Sequence, residues 1–466
     1  MALIKSISGI RGTIGGKPGE GLTPVDIVRF TSAYGIWLKS QNNQAKIKVV
    51  VGRDARISGD MVKNLVIGSL QGLGIDVIDL GLATTPTTEL AVIYEKADGG
   101  LILTASHNPK QWNALKMLNS KGEFLSALDG AEVLAIAEKE EFYYTEAEYI
   151  GKIYENFDFL SKHIDNILSL KLVDTEAIRK ANFKIVIDCV NSVGGIAVPA
   201  LLKSLGVNDI LELYCNPDGL FPHNPEPLPE HLEEISKLVI KEKADLGFAV
   251  DPDVDRLAII NEDGTMFGEE YSLVAIADYI LQHSTNSIRS NDGEKTVSNL
   301  SSSRALRDVT EKYGGKYFAA AVGEVNVVEK MKEVGAIIGG EGNGGIIYPQ
   351  SHYGRDALVG IALFLTHLAK KGKKCSELRK KYPSYYMSKN KIELKEGTDV
   401  DSILLKIKEK YKHEKITDID GVKIDFEDSW VHLRKSNTEP IIRIYSEAKT
   451  KDKAEKLAKT TLIVLS

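Results

Sequence analysis

Cysteine is scarce: the 466-residue chain has three, Cys189, Cys215 and Cys375, and none stands in CxxC spacing. Isolated cysteines of this kind read as reduced core or surface residues, which excludes a disulfide framework and a zinc site. Basic excess is missing as well, because 65 acidic side chains outnumber 59 basic ones and leave a net charge of −6. No bulk positive field recommends nucleic acid as a partner. No apolar run is long enough to span a bilayer, and Met1-Ala2-Leu3-Ile4-Lys5-Ser6 lacks the apolar centre of a signal peptide. Low-complexity stretches are also absent. The expectation is a soluble, cytoplasmic, multidomain protein, with three or so domains at about 150 residues each.

What is present first is a recurring unit: apolar strand, polar loop, amphipathic helix, glycine, second strand. Lys48-Val49-Val50-Val51 leads through Gly52-Arg53-Asp54-Ala55-Arg56 to a helix around Met61–Leu73, then Gly74 and the strand Ile75–Ile78. Lys184–Ile187 leads through Asp188–Ser192 to a helix ending near Leu202, then Gly206 and Ile210-Leu211. A weaker copy runs from Thr296-Val297 through Ser298–Ser303 to Gly314-Gly315. Alternating strands and helices predict α/β domains built on parallel sheets, whose ligands bind beyond the carboxyl ends of strands. After the charged junction Arg379–Pro383 the pattern changes. A helix at Val400–Tyr411, alternating segments at Val422–Phe426 and Ile441–Tyr445, and a last helix near Ala454–Leu465 predict an α+β domain with an antiparallel sheet.

Three carboxylates alternate in Asp251-Pro252-Asp253-Val254-Asp255-Arg256, directly after the apolar Leu246–Val250. The two-residue period of a strand predicts that all three project to one side. Without a counterion they would repel and resist burial. Mg²⁺ suits them, since it takes oxygen ligands and keeps positions for phosphate. A polar turn after a strand would look the same. A calcium loop does not fit, because glycine is needed at its sixth position, where Arg256 stands, although Glu262 occupies the twelfth.

Thr104-Ala105-Ser106-His107-Asn108-Pro109 follows the apolar Leu101–Leu103, so Ser106 is a candidate nucleophile, or part of an ordinary turn. It has no Gly-x-Ser-x-Gly surroundings, and adjacent side chains usually point apart, so no dyad with His107 is assumed. A phosphorylated Ser106 would offer oxygens to a metal held by the three aspartates. Arg434-Lys435-Ser436-Asn437-Thr438-Glu439-Pro440 with Arg443 has the donors that bind phosphate, or is a capped surface turn. Gly339-Gly340-Glu341-Gly342-Asn343-Gly344-Gly345 reads as too glycine-rich for a strand or helix. It brings backbone close to something and offers one carboxylate for sugar hydroxyls, unless it is a plain connecting loop. It is no Walker loop, since no Gly-Lys-Ser/Thr follows.

Together these segments resemble the α-D-phosphohexomutases, the family of phosphoglucomutase, phosphomannomutase and phosphoglucosamine mutase. Thr104–Pro109 is similar to the phosphoserine loop and Asp251–Arg256 to the metal loop, with Pro252 where glycine is commoner. Gly340–Gly345 resembles the sugar-specificity loop and Arg434–Arg443 the distal phosphate loop. Ser8-Gly9-Ile10-Arg11-Gly12, Gly52–Arg56 and Val322-Gly323-Glu324 match further segments, so the likeness covers essentially the whole chain.

The resemblance implies four domains around a central cleft: mixed-sheet α/β domains at 1–155, 156–258 and 259–375, then an α+β domain at 376–466. It implies Ser106, Asp251, Asp253 and Asp255 as Mg²⁺ ligands, with Lys116, Arg11, Arg256 and His107 as catalytic neighbours. Glu341, Gly342, Asn343, Arg434, Ser436, Asn437, Thr438 and Arg443 would bind the sugar phosphate. The implied reaction interconverts a hexose 6-phosphate and 1-phosphate through phosphoserine and a 1,6-bisphosphate, in a monomer or homodimer. Many bacterial members have serine at Asn343 and histidine at Gly345, which shifts acid–base weight here to Lys116 and Arg11. The short N-terminal Ser-Gly-Ile-Arg-Gly favours glucosamine 6-phosphate over mannose or glucose phosphates as substrate. A metal-dependent sugar phosphatase and a catalytically silent sugar-phosphate binder are the competing classes. A dehalogenase-type phosphatase would require threonine where Asp255 stands.

Overall fold

The computed structural model describes residues 2–6, 9–42, 46–284, 293–393, 399–435 and 441–463. It separates into two compact units, Met1–Ser272 with Asn343–Leu378, and Leu273–Gly342 with Arg379–Ser466.

The first unit holds two sheets. Strands β1 (Leu3–Ser6), β2 (Gly9–Thr13), β3 (Lys48–Arg53), β4 (Asp76–Leu82), β5 (Gly99–Leu103), β6 (Trp112–Leu118) and β7 (Ile153–Glu155) form a seven-stranded sheet in the order β1-β2-β6-β5-β3-β4-β7. It is mixed: β3 pairs parallel with β4 and β5, whereas β6 pairs antiparallel with β2 and β5. Val49 and Val51 on β3 and Leu101 and Leu103 on β5 pack with Phe30, Trp37, Val62, Val66 and Val133 in one buried core. Strands β8 (Lys184–Asp188), β9 (Asp209–Leu213), β10 (Leu246–Val250) and β11 (Leu257–Asn261) follow in the order β11-β10-β8-β9, with the β10–β11 pair antiparallel. All five residues of β10 are buried, as a central strand covered on both faces requires.

In the second unit, β12 (Lys295–Asn299) is flanked by β13 (Lys316–Ala320) and β14 (Ile338–Glu341), both parallel to it. The short β15 (Gly345–Ile347) falls in the first unit. The last sheet, β16 (Tyr386–Glu393), β17 (Lys415–Thr417), β18 (Val422–Asp425), β19 (Trp430–Lys435) and β20 (Ile441–Ala448), is antiparallel throughout, in the order β16-β20-β19-β18-β17.

The recurring unit of the sequence is therefore a real structural repeat. In each copy a strand passes into a helix (Gly59–Gly72, Gly194–Ser204 or Ala305–Lys312) and returns as a parallel neighbour, β3 to β4, β8 to β9 and β12 to β13. Each return follows a glycine in the left-handed region, Gly74, Gly206 or Gly314, where a side chain would be strained. The glycine-rich segment departs from its expected loop. Gly339 and Gly340 lie inside β14, because a Cβ at Gly339 would collide with Met331 of the helix Glu324–Val334. Close helix–strand packing, not looseness, explains glycine there. Among the described residues, no helix is long and apolar enough to cross a membrane.

Candidate active site

The serine loop leaves β5 and the aspartate loop leaves β10, and both ends meet within the first unit. Ser106 takes a left-handed backbone, φ +49°, and its amide donates to Oγ1 of Thr104 at 2.9 Å. Behind it lies Arg56, almost fully buried. Arg56 donates to the carbonyls of Asn108 (2.7 Å), Pro109 (2.8 Å) and Ser106 and to Oδ2 of Asp54 (2.9 Å). One guanidinium thus satisfies three carbonyls of a turn that has no ladder of its own.

Ser106 Oγ donates to Oδ2 of Asp251 at 2.7 Å. Asp251, Asp253 and Asp255 are all fully buried, and one oxygen from each lies within 4.8 Å of the others. They do not converge as the pleat predicts. β10 ends at Val250, and Asp251–Arg256 is a turn in which Val254 has φ +63°. The backbone of the turn folds inward: the amides of Asp255 and Arg256 both donate to Oδ1 of Asp251 at 3.1 Å. A left-handed β-branched residue is a rare conformation, and here it brings the second and third carboxylates to the first.

Asp251 has both oxygens tied to protein, whereas Asp253 and Asp255 each have one. Oδ2 of Asp253 accepts from Lys116 Nζ at 2.7 Å and Thr85 Oγ1 at 2.6 Å. Oδ2 of Asp255 accepts from Arg355 at 2.7 Å. The Oδ1 atoms of Asp253 and Asp255 are buried with no hydrogen-bond partner. Two orphaned carboxylate oxygens beside a serine hydroxyl are a hard-cation donor set, so the residues present fit a divalent metal. Burial and the neighbouring carboxylates of Asp255 and Asp253 push the Asp251 carboxyl well up. Burial also works against ionised Asp253, yet the Lys116 ammonium and the Thr85 hydroxyl overcome it and hold this carboxyl low. Lys116 loses to burial and regains more from Asp253 and Asp255, so its ammonium is favoured.

Positive charge collects on the same side. Burial lowers the Arg11 guanidinium, and Arg256 and Arg355 lower it further. Burial pushes His107 well down, reinforced by Arg256, Arg11 and Arg355. Its Nδ1 lies 3.4 Å from Ser106 Oγ, so the left-handed turn brings the two neighbours into a long contact that their sequence adjacency does not predict. Arg256 also approaches Glu226, at 3.5 Å. Three mutually repelling guanidiniums are tolerable where an anion is to be received.

The remaining sequence-predicted residues divide. Asn343 caps its own loop, with Oδ1 accepting from Gly345 N at 3.2 Å. The next glycine does bring backbone close: Gly344 O accepts from Leu257 N at 3.0 Å, beside the exit of the metal loop. Glu341 and Gly342 belong to the second unit, where Oε1 of Glu341 accepts from Asn299 Nδ2 (2.9 Å) and Gly323 N (3.2 Å) and Gly342 N donates to Ser302 Oγ (3.0 Å). Arg434 and Arg443 are on β19 and β20, and Ser436, Asn437 and Thr438 lie outside the described residues. Sequence reasoning missed Thr85, Glu226 and Arg355, although Arg355 stands between His352 and Asp356 and Glu226 follows His223-Asn224.

Comparison with known proteins bears on the whole chain. Descriptions of phosphoglucomutase/phosphomannomutase alpha/beta/alpha domains I, II and III match residues 3–144, 161–264 and 269–386, and that of the C-terminal domain matches 391–463. A Thermococcus kodakarensis protein named phosphoglucomutase/phosphomannomutase is 38% identical over 95% of both chains. A Sulfurisphaera tokodaii phosphoglucosamine/phosphogalactosamine mutase is 34% identical over 98% of both. A solved Burkholderia thailandensis structure, of a phosphoglucomutase/phosphomannomutase family protein, superposes with TM-score 0.83 at 24% identity. It covers 99% of this chain and 98% of its own.

Proposed function

This chain belongs to the phosphoglucomutase/phosphomannomutase family of phosphohexomutases, isomerases that work by phosphoryl transfer, and from that premise we propose that Ser106 carries the phosphoryl group. The substrate is glucosamine 6-phosphate, converted to glucosamine 1-phosphate. The observation that carries the reading is the 2.7 Å contact of Ser106 Oγ with Asp251, inside a trio that keeps two carboxylate oxygens unpartnered.

In the forward reaction the phosphorus–oxygen bond to Ser106 breaks and a new one forms to the sugar's 1-hydroxyl. That hydroxyl gives up its proton, and Ser106 Oγ leaves with the bond electrons and is reprotonated. The 1,6-bisphosphate then presents its 6-phosphate: Ser106 Oγ gives up its proton and takes the phosphoryl group back, while the sugar's 6-oxygen leaves with the bond electrons and is protonated. Phosphate is conserved throughout. Ser106, Asp251, Asp253 and Asp255 would hold Mg²⁺, which when bound neutralises charge on the transferring phosphoryl oxygens. Arg11 and Arg256 add fixed positive charge, and proton transfer falls to His107, 3.4 Å from the reacting oxygen, and to Lys116, held on Asp253. We assign the phosphate that is not reacting to Arg434 and Arg443 with Ser436, Asn437 and Thr438, and the sugar to Glu341, Gly342 and Asn343. Domain limits of 1–155, 156–258, 259–375 and 376–466 suit this division, with the second extended to Asn261 so that β11 stays with its sheet. We place the enzyme in the cytoplasm, as a monomer or homodimer.

The name of the 38% identical relative favours a second substrate reading, glucose or mannose phosphate. One experiment separates them: purified enzyme with Mg²⁺ is given each 6-phosphate, and both 1-phosphate and free phosphate are followed. Fastest 1-phosphate formation from glucosamine 6-phosphate, without phosphate release, is expected. Release of free phosphate in step with substrate loss would replace the mutase reading by a phosphatase.

A further inference from the structure

Ten residues after Gly345, Arg355 turns back across it. Arg355 is only 8% exposed, and a Cβ built on Gly345 would collide with its Cδ. The side chain thus occupies the space that any side chain at position 345 would fill. Its guanidinium ends on Oδ2 of Asp255, 2.7 Å away, and Lys116 Nζ is 3.6 Å from the same oxygen. Oδ1 of the same carboxylate is left without a hydrogen bond, in the acidic trio.

Another cation stands ready to take that free oxygen. Arg256 Nε is buried and unpartnered, 4.0 Å from Oδ1 of Asp255. At that distance it is too far for a hydrogen bond, but a small rotation of the carboxylate would close the gap. Arg355 prevents the rotation by fixing Oδ2.

Resting on the metal reading above, we propose that Arg355 is the positioning residue of the metal site: threaded over Gly345, it pins Asp255 so that Oδ1 faces the cation and not Arg256. Gly345 is then glycine because Arg355 needs the room. A purely electrostatic role has the opposite sign, since deleting a positive charge beside a dication would tighten metal binding.

Mn²⁺ titration of the full-length protein, followed by electron paramagnetic resonance, decides between them, with Mn²⁺ standing in for Mg²⁺ as a hard octahedral ion. Arg355→Met, which keeps length and loses charge, should weaken Mn²⁺ binding about tenfold, as loss of a ligand's supporting partner does. Arg355→Lys should also weaken it, because a point charge cannot reproduce the planar fork. Gly345→Ala should do the same by displacing Arg355, and the Gly345→Ala/Arg355→Met double variant should be no worse than Arg355→Met alone. Unchanged or tighter Mn²⁺ binding in Arg355→Met, or full additivity in the double variant, would overturn the proposal. Failure of the unsubstituted protein to bind Mn²⁺ would overturn the metal reading itself. If Arg355→Met does not fold, as judged by circular dichroism, Arg355→Lys and Gly345→Ala carry the same measurement.

Discussion

Arg434 and Arg443 stand directly opposite one another on the antiparallel strands β19 and β20. Side chains at paired positions share a face, and like charges there are destabilising. Arg434 has some relief from Asp420, whose Oδ2 is 4.0 Å from its Nη1. Two guanidiniums side by side make sense as a fork for phosphate.

Arg443→Ala should therefore raise KM for both the 1-phosphate and the 6-phosphate by about tenfold, the loss of one charge-assisted hydrogen bond. Steady-state kinetics in both directions provides the check. An effect in one direction only would mean that the loop does not serve both orientations.

Ser106→Ala should abolish turnover and leave folding intact. Intact mass spectrometry of the parent after incubation with a hexose 1,6-bisphosphate should show one added phosphate, absent from the variant. Retained activity would remove Ser106 as the phosphate carrier.

Arg56 is a structural residue with a catalytic consequence. Arg56→Met leaves Asp54 buried without its cation and frees the carbonyls of the serine loop. Breaking a buried pair in this way costs about 3–5 kcal/mol. Urea unfolding should report that loss, and kcat should fall with it. A midpoint equal to the parent's would show that the clamp is not needed for stability.

A second buried network gives a pH dependence. His352 lies between Glu89 on the helix Thr85–Tyr94 (3.2 Å) and Asp356 (3.2 Å), and Asp356 also meets His163 of the helix Phe159–Ser169 (2.9 Å). Burial opposes the His352 imidazolium, but Asp356 and Glu89 prevail and push it up to about 10. A raised folded value stabilises fully below the ordinary histidine range, near about 6.5, and the contribution is lost as pH rises through about 10. Urea midpoints should fall from neutral pH towards alkaline pH. His352→Gln should be less stable at neutral pH and show a flatter slope. Equal slopes in the two proteins would rule out His352 as the source.

How far the sequence could be read depended on whether a residue's partners were its chain neighbours. Ser106 and the three aspartates are local patterns at strand ends, but β5 and β10 belong to different sheets, so their meeting comes from how those sheets pack and not from parallel pairing. The three carboxylates do come together, as their pattern suggests, but through a bend built on Val254 after β10 ends at Val250 and not through a strand's period. Glu341 was legible as a carboxylate among glycines, but not as one already engaged by Asn299 and Gly323. Arg355 could not be found in this way: its partner Asp255 is 100 positions away and its path crosses Gly345, a relation that only packing reveals.

The left-handed φ of +49° at Ser106 has a consequence for which hydroxyl can occupy the position. Threonine offers the same oxygen, yet its branched Cβ is crowded by the backbone in that region. Conversion to threonine would add strain to the conformation that Arg56 and Thr104 hold, of the kind Val254 carries in the aspartate turn, and so would disfavour the hydroxyl's place beside Asp251. Two amino acids that are interchangeable as phosphate acceptors in flexible peptides are thus not equivalent here, and the choice is imposed by backbone geometry before any chemistry begins.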